Sequence, residues 1–247
     1  MVVKSQIKFI KSLQQKKYRS RHKMFVAEGI KTVRELLLSR YKEHAIYSTD
    51  PNLFKDLDIS THPISASDLI KISGYKNPNT VLGVFYIPDP IPVPVDFNDW
   101  ILALDDINDP GNFGTIIRLC DWFGITHILC SETTVDCFNP KVLQASMGSI
   151  SRVNMVYTNL IDALKKSRLP VYGAFMDGEN VYGKMLPEAG ILVMGNEARG
   201  ISEEVSPLIS AKISIPQFGK KTTESLNVGT ATAILLNEIR RPEGSKQ

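Results

Sequence analysis

At 247 residues, with 43% hydrophobic and 22% charged residues, the chain has the composition of a globular protein with one or two cored domains, which excludes a largely disordered protein. Its net charge of +3 is too small to identify a polyanionic partner alone. No run of about 18 apolar residues and no apolar signal segment is present, so we expect a cytoplasmic protein without a membrane span.

The first forty residues are strongly basic. Twelve cations between Lys4 and Lys42 face only Glu28 and Glu35. The cluster K-K-Y-R-S-R-H-K fits a solvated helix face, or a phosphate-binding strip with Tyr18 available for stacking, and both interpretations stay open. Its candidate RNA contacts are Lys16, Lys17, Arg19, Arg21 and Lys23. Helical patterns at 4–15 and 30–38 alternate with short apolar runs at 24–27, 45–47 and 81–87, which predicts a small α/β domain.

A proline-rich stretch follows this region. Residues 87–96, I-P-D-P-I-P-V-P-V-D, cannot supply the backbone donors of a central strand, so they predict a stiff, extended linker. We therefore place the domain boundary at its end, with domains at 1–95 and 96–247.

The second domain alternates strands with loops and helices. Strand patterns at 101–104, 127–130, 171–174, 191–194 and 212–215, with a helix at 115–123 after the first, predict a mainly parallel sheet covered on both faces. Ligands of such sheets bind at the carboxyl ends of the strands. Three cysteines without metal-ligand spacing predict reduced thiols and no metal site.

The first loop of interest reads L-D-D-I-N-D-P-G-N-F-G-T-I-I-R. Pro110, Gly111 and Gly114 allow a tight turn, and Asn112 is suited to cap the helix that follows. Arg118 lies on the polar face of that helix. Taken alone, the loop is read most simply as a helix cap plus a surface ion pair between Arg118 and Asp121.

The second loop, I-L-V-M-G-N-E-A-R-G-I-S, has the G-x-x-x-x-G spacing of a P-loop. Ile201 occupies the position of the P-loop lysine, however, and Glu197 would repel phosphate, so this interpretation fails. A G-x-G-x-x-G motif is absent as well, which argues against a nicotinamide site. We expect Ser202 to cap a helix after this loop.

The third loop, I-S-I-P-Q-F-G-K-K-T-T-E-S-L-N-V, runs from a strand into the last helix. Ser225 is the expected cap of that helix, and Asn227 taken alone is a residue of its first turn. Val228, Ala231, Leu235 and Ile239 form an apolar stripe along it.

Together and in this order, the three loops resemble the motifs of the SpoU or TrmH-type RNA ribose 2'-O-methyltransferases of the SPOUT superfamily. The resemblance covers residues 101–241. The matching residues are Asn112, Gly114, Arg118, Gly195, Glu197, Gly200, Pro216, Ser225, Leu226, Asn227 and Val228. The N-terminal part is similar to the L30e-like RNA-binding domain that often precedes this catalytic domain.

The resemblance implies a homodimer with a deep trefoil knot and S-adenosylmethionine as the methyl donor. By matching position, the donor would be held by Met194, Gly195, Asn196, Ile215, Pro216 and Leu226. The catalytic set would be Asn112, Arg118, Glu197, Ser225 and Asn227. Arg118 would act across the dimer interface by orienting phosphate or stabilising the developing alkoxide, because arginine is hard to deprotonate.

The loop Q-F-G-K-K-T-T-E is longer than the family usually has, which puts contacts near Phe218 in doubt and leaves Lys220 and Lys221 without an assigned role. We expect ribosomal RNA to be the substrate, from the two-domain layout. The alternatives are the same chemistry on transfer RNA, base methylation within the superfamily, and a non-catalytic RNA-binding or ribosome-assembly protein on this fold.

Overall fold

The computed structural model describes residues 2–94, 97–219 and 225–241. Within these residues the strands are β1 Met24–Glu28, β2 Glu43–Ser48, β3 His62–Pro63, β4 Val81–Tyr86, β5 Trp100–Asp105, β6 His127–Cys130, β7 Asn154–Tyr157, β8 Val171–Asn180, β9 Gly190–Gly195 and β10 Ala211–Ser214. The helices are α1 Lys4–Ser12, α2 Lys16–His22, α3 Ile30–Leu37, α4 Ala66–Ile72, α5 Pro110–Trp122, α6 Pro140–Ser146, α7 Leu160–Lys166 and α8 Val228–Ile239.

The strands form two separate sheets. The first has the order β1-β4-β2-β3, in which β4 runs antiparallel to both β1 and β2. The second has the order β10-β8-β9-β5-β6-β7, and every neighbouring pair in it is parallel. The expected α/β fold with a mainly parallel sheet is confirmed. In a parallel sheet all carboxyl ends meet at one edge, so the loops after β5, β9 and β10 open on the same side of the second sheet.

Two compact units divide the chain. The first comprises residues 1–89 together with 136–152, and the second comprises 90–135 and 153–247. Residues 87–94 form no regular strand or helix, as the proline pattern predicts. The predicted boundary between residues 95 and 96 lies outside the described residues. Assignment of 136–152 to the first unit was not anticipated, because the sequence prediction placed this segment in the second domain.

Each unit has its own apolar core. In the first, α1 and α4 pack on the first sheet, and Ile10, Leu13, Val26, Ile72 and Leu82 are buried there. In the second, a core on one face of the parallel sheet combines Ile101, Ala103, Val193, Leu160 and Ile201. Helix α8 packs against α5, burying Val228, Leu235 and Leu236. Strands with near-continuous hydrophobic runs therefore supply the apolar residues that pack against the faces of the parallel sheet.

The described cysteines Cys120, Cys130 and Cys137 are free and buried, which agrees with the expected reduced thiols. Burial raises the pKa of the Cys120 thiol far above its ordinary value. No described helix has the length and hydropathy that a bilayer span requires. Nor does any cluster of histidine, cysteine or acidic side chains suited to a metal occur in the described part of the chain.

Segment 136–152 is tied to the N-terminal residues by a buried ion pair. Asp136 accepts hydrogen bonds from Nε and Nη2 of Arg19 at 2.9 and 2.6 Å, and the Arg19 side chain is only 3% exposed. The remaining guanidinium nitrogen of Arg19 donates to the carbonyls of Leu13 and Gln14, both at 2.9 Å. Phe138 packs on the ring of Phe25 with the ring centres 4.6 Å apart. This segment therefore completes the first unit's core.

Replacing Asp136→Ala leaves the buried Arg19 charge without its carboxylate, so we expect a loss of about 3–5 kcal/mol in unfolding free energy. The matched control is Asp56→Ala, which removes an exposed ion pair with Arg34 and should cost far less. Denaturant unfolding of both full-length variants measures the difference. Equal stability of the two variants would show that the Arg19–Asp136 pair does not hold the segment.

Candidate active site at the carboxyl edge of the parallel sheet

The first loop begins where β5 ends. Asp109, not Asn112, caps α5, because its Oδ1 accepts the backbone N–H of Asn112 at 2.7 Å. Pro110 follows at the first position of the helix, where its missing N–H costs no hydrogen bond. The prediction of a capping role for Asn112 is therefore wrong. With Asp109 in that role, the Asn112 side chain extends toward the other loops.

The second loop is a tight turn organised by Asn196. Asn196 and Gly200 exchange backbone hydrogen bonds at 2.9 Å, and Asn196 Oδ1 accepts the N–H groups of Ala198 and Arg199 at 2.9 and 3.1 Å. A Cβ at Gly195 would lie 2.2 Å from the carbonyl carbon of Gly200, so only glycine fits there. Gly200 itself has φ +71.

Two contacts join the second loop to the end of β5. Asn196 Nδ2 donates to the carbonyl of Asp106 at 2.7 Å, and the Arg199 guanidinium pairs with the Asp106 carboxylate. Asp105, buried at the end of β5, accepts the backbone N–H of Ser202 at 2.7 Å. Ser202 caps no helix, contrary to expectation, because the chain there forms turns and then only a short 3-10 helix at Ser206–Leu208.

Three motif side chains meet through the amide of Asn112. Asn112 Nδ2 donates to Glu197 Oε1 at 3.0 Å, and Asn112 Oδ1 accepts from Asn227 Nδ2 at 2.8 Å. Asn227 Oδ1 in turn accepts the N–H groups of Gly229 and Thr230 at 2.9 and 3.3 Å. Each amide is thus engaged at both ends, which fixes its orientation. Residues separated by up to 115 positions form one connected network.

Asn227, and not Ser225, is the cap of α8. Ser225 is exposed and lies two residues before the cap, so its predicted capping role is wrong. The reason is nonlocal: both residue types can cap a helix, but only Asn227 also reaches Asn112. Lys220 and Lys221 lie outside the described residues.

Arg118 is exposed on α5, six residues beyond Asn112 and about 9 Å further along the helix axis. Within the described residues, no hydrogen bond or ion pair holds its guanidinium. Trp122 lies one turn later on the same face and is 83% exposed. Arg118 is therefore free to bind a group from outside this chain.

The predicted donor-binding residues differ in accessibility. Leu226 is 48% exposed, whereas Met194 is buried at 2% exposure. Gly195, Asn196, Ile215 and Pro216 are partly exposed at the carboxyl ends of β9 and β10. Phe218, whose role the long loop put in doubt, is 88% exposed.

No histidine belongs to the three loops. His127 lies on β6 with its ring 4.7 Å from that of Phe97, and desolvation lowers its pKa below the ordinary value. This agrees with the expected core or edge role.

A cavity of about 770 Å³ opens beside the second loop and was not expected from the sequence. Of the predicted site residues, only Asn196 lines it; Asp106, Ser131, Asn159, Arg199 and Glu203 are among its other lining residues. The rule that ligands bind at the carboxyl ends of parallel strands could have predicted this cavity, because β5, β6 and β7 all end there.

In the first unit, α2 displays four of the five predicted RNA contacts. Lys16, Lys17, Arg21 and Lys23 are exposed in or directly after this helix. Arg19 is 2% exposed and donates to Asp136 and two backbone carbonyls, so its buried side chain does not contact phosphate in this structure, and its assignment is corrected.

Comparisons with known proteins agree on a family. Residues 99–237 match the SpoU rRNA Methylase family, and residues 4–83 match the MRM3-like substrate binding domain. The Bacillus subtilis 23S rRNA (guanosine(2553)-2'-O)-methyltransferase RlmP is 28% identical over 95% of both chains.

Two solved structures superpose on nearly the whole chain. A putative RNA methyltransferase of the TrmH family from Porphyromonas gingivalis is 40% identical, with TM-score 0.88 and coverage of 97% of this chain and 98% of the other. The AdoMet-bound rRNA methyltransferase from Sinorhizobium meliloti is 28% identical, with TM-score 0.86 and coverage of 97% and 95%. With the three loops joined at Asn112 and the family match covering more than half of its length, this chain belongs to the SpoU rRNA methylase family.

Proposed function

We propose that this protein transfers a methyl group from S-adenosylmethionine to a ribose 2'-hydroxyl of ribosomal RNA. The observation that carries the proposal is the Glu197–Asn112–Asn227 network, which joins all three motif loops at one edge of the parallel sheet. Relatives support the reaction and the substrate class: RlmP is named for 2'-O-methylation of 23S rRNA, and the Sinorhizobium enzyme is an rRNA methyltransferase with AdoMet bound.

The residues present fit S-adenosylmethionine. Leu226 exposes an apolar side chain in the third loop, which suits the methylene groups of the donor. Gly195 and Ile215 supply peptide groups at the ends of β9 and next to β10, and Glu197 offers a carboxylate to the cationic end. When bound, the donor supplies an electrophilic methyl group on its sulfonium.

The chain's own residues position the ribose and stabilise charge. Arg118, exposed and unpaired within the described residues, binds a phosphate oxygen or the alkoxide that forms as the 2'-hydroxyl loses its proton. Asn112 and Asn227 hold the loop geometry, Glu197 fixes the second loop, and Ser225 faces the substrate. A substrate phosphate assists loss of the hydroxyl proton to solvent, because the Arg118 guanidinium stays protonated and cannot act as the base.

The proposal includes a homodimer in which Arg118 acts on the partner's bound substrate. Trp122, 83% exposed on the same face of α5, supports a protein interface there, because tryptophan is enriched in protein interfaces.

Three further features complete the proposal. The catalytic domain contains a deep trefoil knot, as in the SPOUT superfamily. The N-terminal unit, matched by a substrate binding domain, is an L30e-like RNA-binding domain. The enzyme works in the cytoplasm, with no metal.

Arg118→Ala should lower methyl transfer by at least about 100-fold, since a charge-stabilising donor is removed. Its affinity for S-adenosylmethionine should stay within about twofold of wild type. Transfer of labelled methyl groups to ribosomal RNA and calorimetry measure the two quantities, and Arg168→Ala, at an exposed arginine after α7, is the matched control. Alkaline hydrolysis identifies the product, because ribose methylation protects the adjacent linkage. Donor binding by the wild type without transfer to ribosomal RNA would sink the proposal.

Asn112→Asp places a carboxylate against Glu197 and removes the donor of their hydrogen bond, so we expect about 10-fold or greater loss of kcat/KM. Adding Glu197→Gln restores a donor to that contact while Asn227 still donates to position 112. The double variant should therefore be more active than Asn112→Asp alone. Additive losses in this double-mutant cycle would show that the network does not act as a unit.

Trp122→Arg should convert the dimer to a monomer and abolish transfer, because a charge would be buried at the interface. Light scattering during gel filtration measures the mass, and Met185→Arg, at a residue 84% exposed in the same unit, is the control that should stay dimeric. If Arg118 acts in trans, mixing and refolding Arg118→Ala with Asn112→Asp protein should regain activity in mixed dimers. A wild-type monomer with full activity would contradict the dimer.

A further inference from the structure

Five aromatic rings form a continuous row on the first unit: Tyr18, His22, Phe9, His44 and Tyr86. Successive ring centres are 6.5, 5.2, 6.2 and 5.5 Å apart. The rings of Tyr18 and His22 are nearly parallel, at 18°, whereas Phe9 meets both histidine rings edge-on. We call this set the aromatic row. It crosses elements that are far apart in sequence, so the fold itself assembles it.

The aromatic row packs on the protein on one side and is exposed to solvent on the other. Phe9 of α1 packs on the apolar core of the first unit, which holds the centre of the row in place. His22 ends α2, and both histidines are exposed. Tyr86, the last residue of β4, is 37% exposed, and its hydroxyl lies 3.0 Å from His44 Nδ1, within hydrogen-bond distance. Tyr18 and Phe9 are half-buried, so His22, His44 and Tyr86 are the rings most open to solvent.

Positive charge surrounds the row. The ammonium of Lys17 lies 4.8 Å above the ring of Tyr18. Lys23 and Lys42 flank the end of β4, because their carbonyls accept the backbone N–H groups of Ile87 and Tyr86 at 2.8 and 2.9 Å. Residues 2–27 contain no acidic side chain, and Glu43, next to His44, is half-buried. Rings with lysines nearby offer stacking surfaces for the bases and positive charge for the phosphates of a single strand.

We propose that the aromatic row binds a single-stranded segment of the substrate RNA, with bases stacked on the rings and phosphates on the flanking lysines. The inference rests on the proposed function, because it takes RNA to be the substrate. The sequence predicted RNA contacts on a strip of cations at α2, but Arg19 of that strip is buried. The aromatic row is instead a stacking surface that also includes residues of β2 and β4. Every base has a π-face, so this surface holds the strand without reading its sequence.

The test measures binding of the full-length protein to a fluorescein-labelled single-stranded RNA of about 12 nucleotides. Tyr18→Ala and Tyr86→Ala should each raise Kd by about 5-fold to 100-fold, because each removes a stacking platform. Tyr18→Phe and Tyr86→Phe keep the ring and should stay within about twofold of wild type. Lys23→Ala should reduce the slope of log K against log salt concentration by the equivalent of about one phosphate contact. The tyrosine variants should leave this slope unchanged.

Two controls lie away from the row. Tyr182→Ala removes a tyrosine of matched exposure, 40%, from the second unit. Lys55→Ala removes an exposed lysine beyond the opposite end of β2. The inference is overturned if Tyr18→Ala and Tyr86→Ala both bind as wild type does, or if Tyr182→Ala weakens binding as much as they do. Circular dichroism and thermal melting of each variant separate a lost ring from a lost fold.

This outcome is distinguishable from failure of the proposed function. Arg118→Ala protein should fail to methylate ribosomal RNA, while its binding of the oligonucleotide should still depend on Tyr18 and Tyr86. If wild type methylates ribosomal RNA but the rings do not affect binding, the inference fails and the function stands. If ring-dependent binding occurs and no RNA is methylated, the stacking surface stands and the proposed reaction fails.

Discussion

Hydrogen bonds of the Asn112 side-chain amide join the three loops of the candidate site. A parallel sheet brings the ends of β5, β9 and β10 to one edge, but it does not set how the loops beyond them meet. Asn112 joins these loops, because its Nδ2 donates to Glu197 and its Oδ1 accepts from Asn227. Because Asp109 caps α5, Asn112 is released for this task, and because Asn227 caps α8, the last helix begins at the junction. Helix capping and site assembly are thus carried out by the same few side chains.

The sequence predicted the parts of this arrangement that depend on local pattern. Strand β6 at His127–Cys130 was predicted with its observed bounds, and the apolar runs of β5 and β9 with errors of about one residue, because buried strands of a parallel sheet are continuously hydrophobic. The gathering of three motifs was expected from their resemblance to a family. The helix caps were not predicted correctly: Ser225 and Asn227 are both good capping residues, and a contact with Asn112, 115 positions away, favours the second.

What could not be predicted was set by long-range contacts. In K-K-Y-R-S-R-H-K every cation looks equally suited to solvent, yet Arg19 is buried because Asp136, 117 positions away, pairs with it. Strand β7 has only four residues, and its conformation depends on pairing with β6. The aromatic row is similar: Phe9, His44 and Tyr86 show no motif in sequence and become neighbours through the pairing of β2 with β4 and the packing of α1 on the core.

The assignment of residues 136–152 to the first unit bears on how such proteins can diversify. The chain passes from one unit to the other near residues 89, 135 and 152, so no single cut separates them. A chimera that exchanged only the first 89 residues for those of a relative would confront foreign side chains with Asp136 and Phe138. Recombination would have to transplant both stretches together. The two units are therefore coupled through a short internal segment. This coupling limits the exchange of one unit between relatives, which a simple linker would permit.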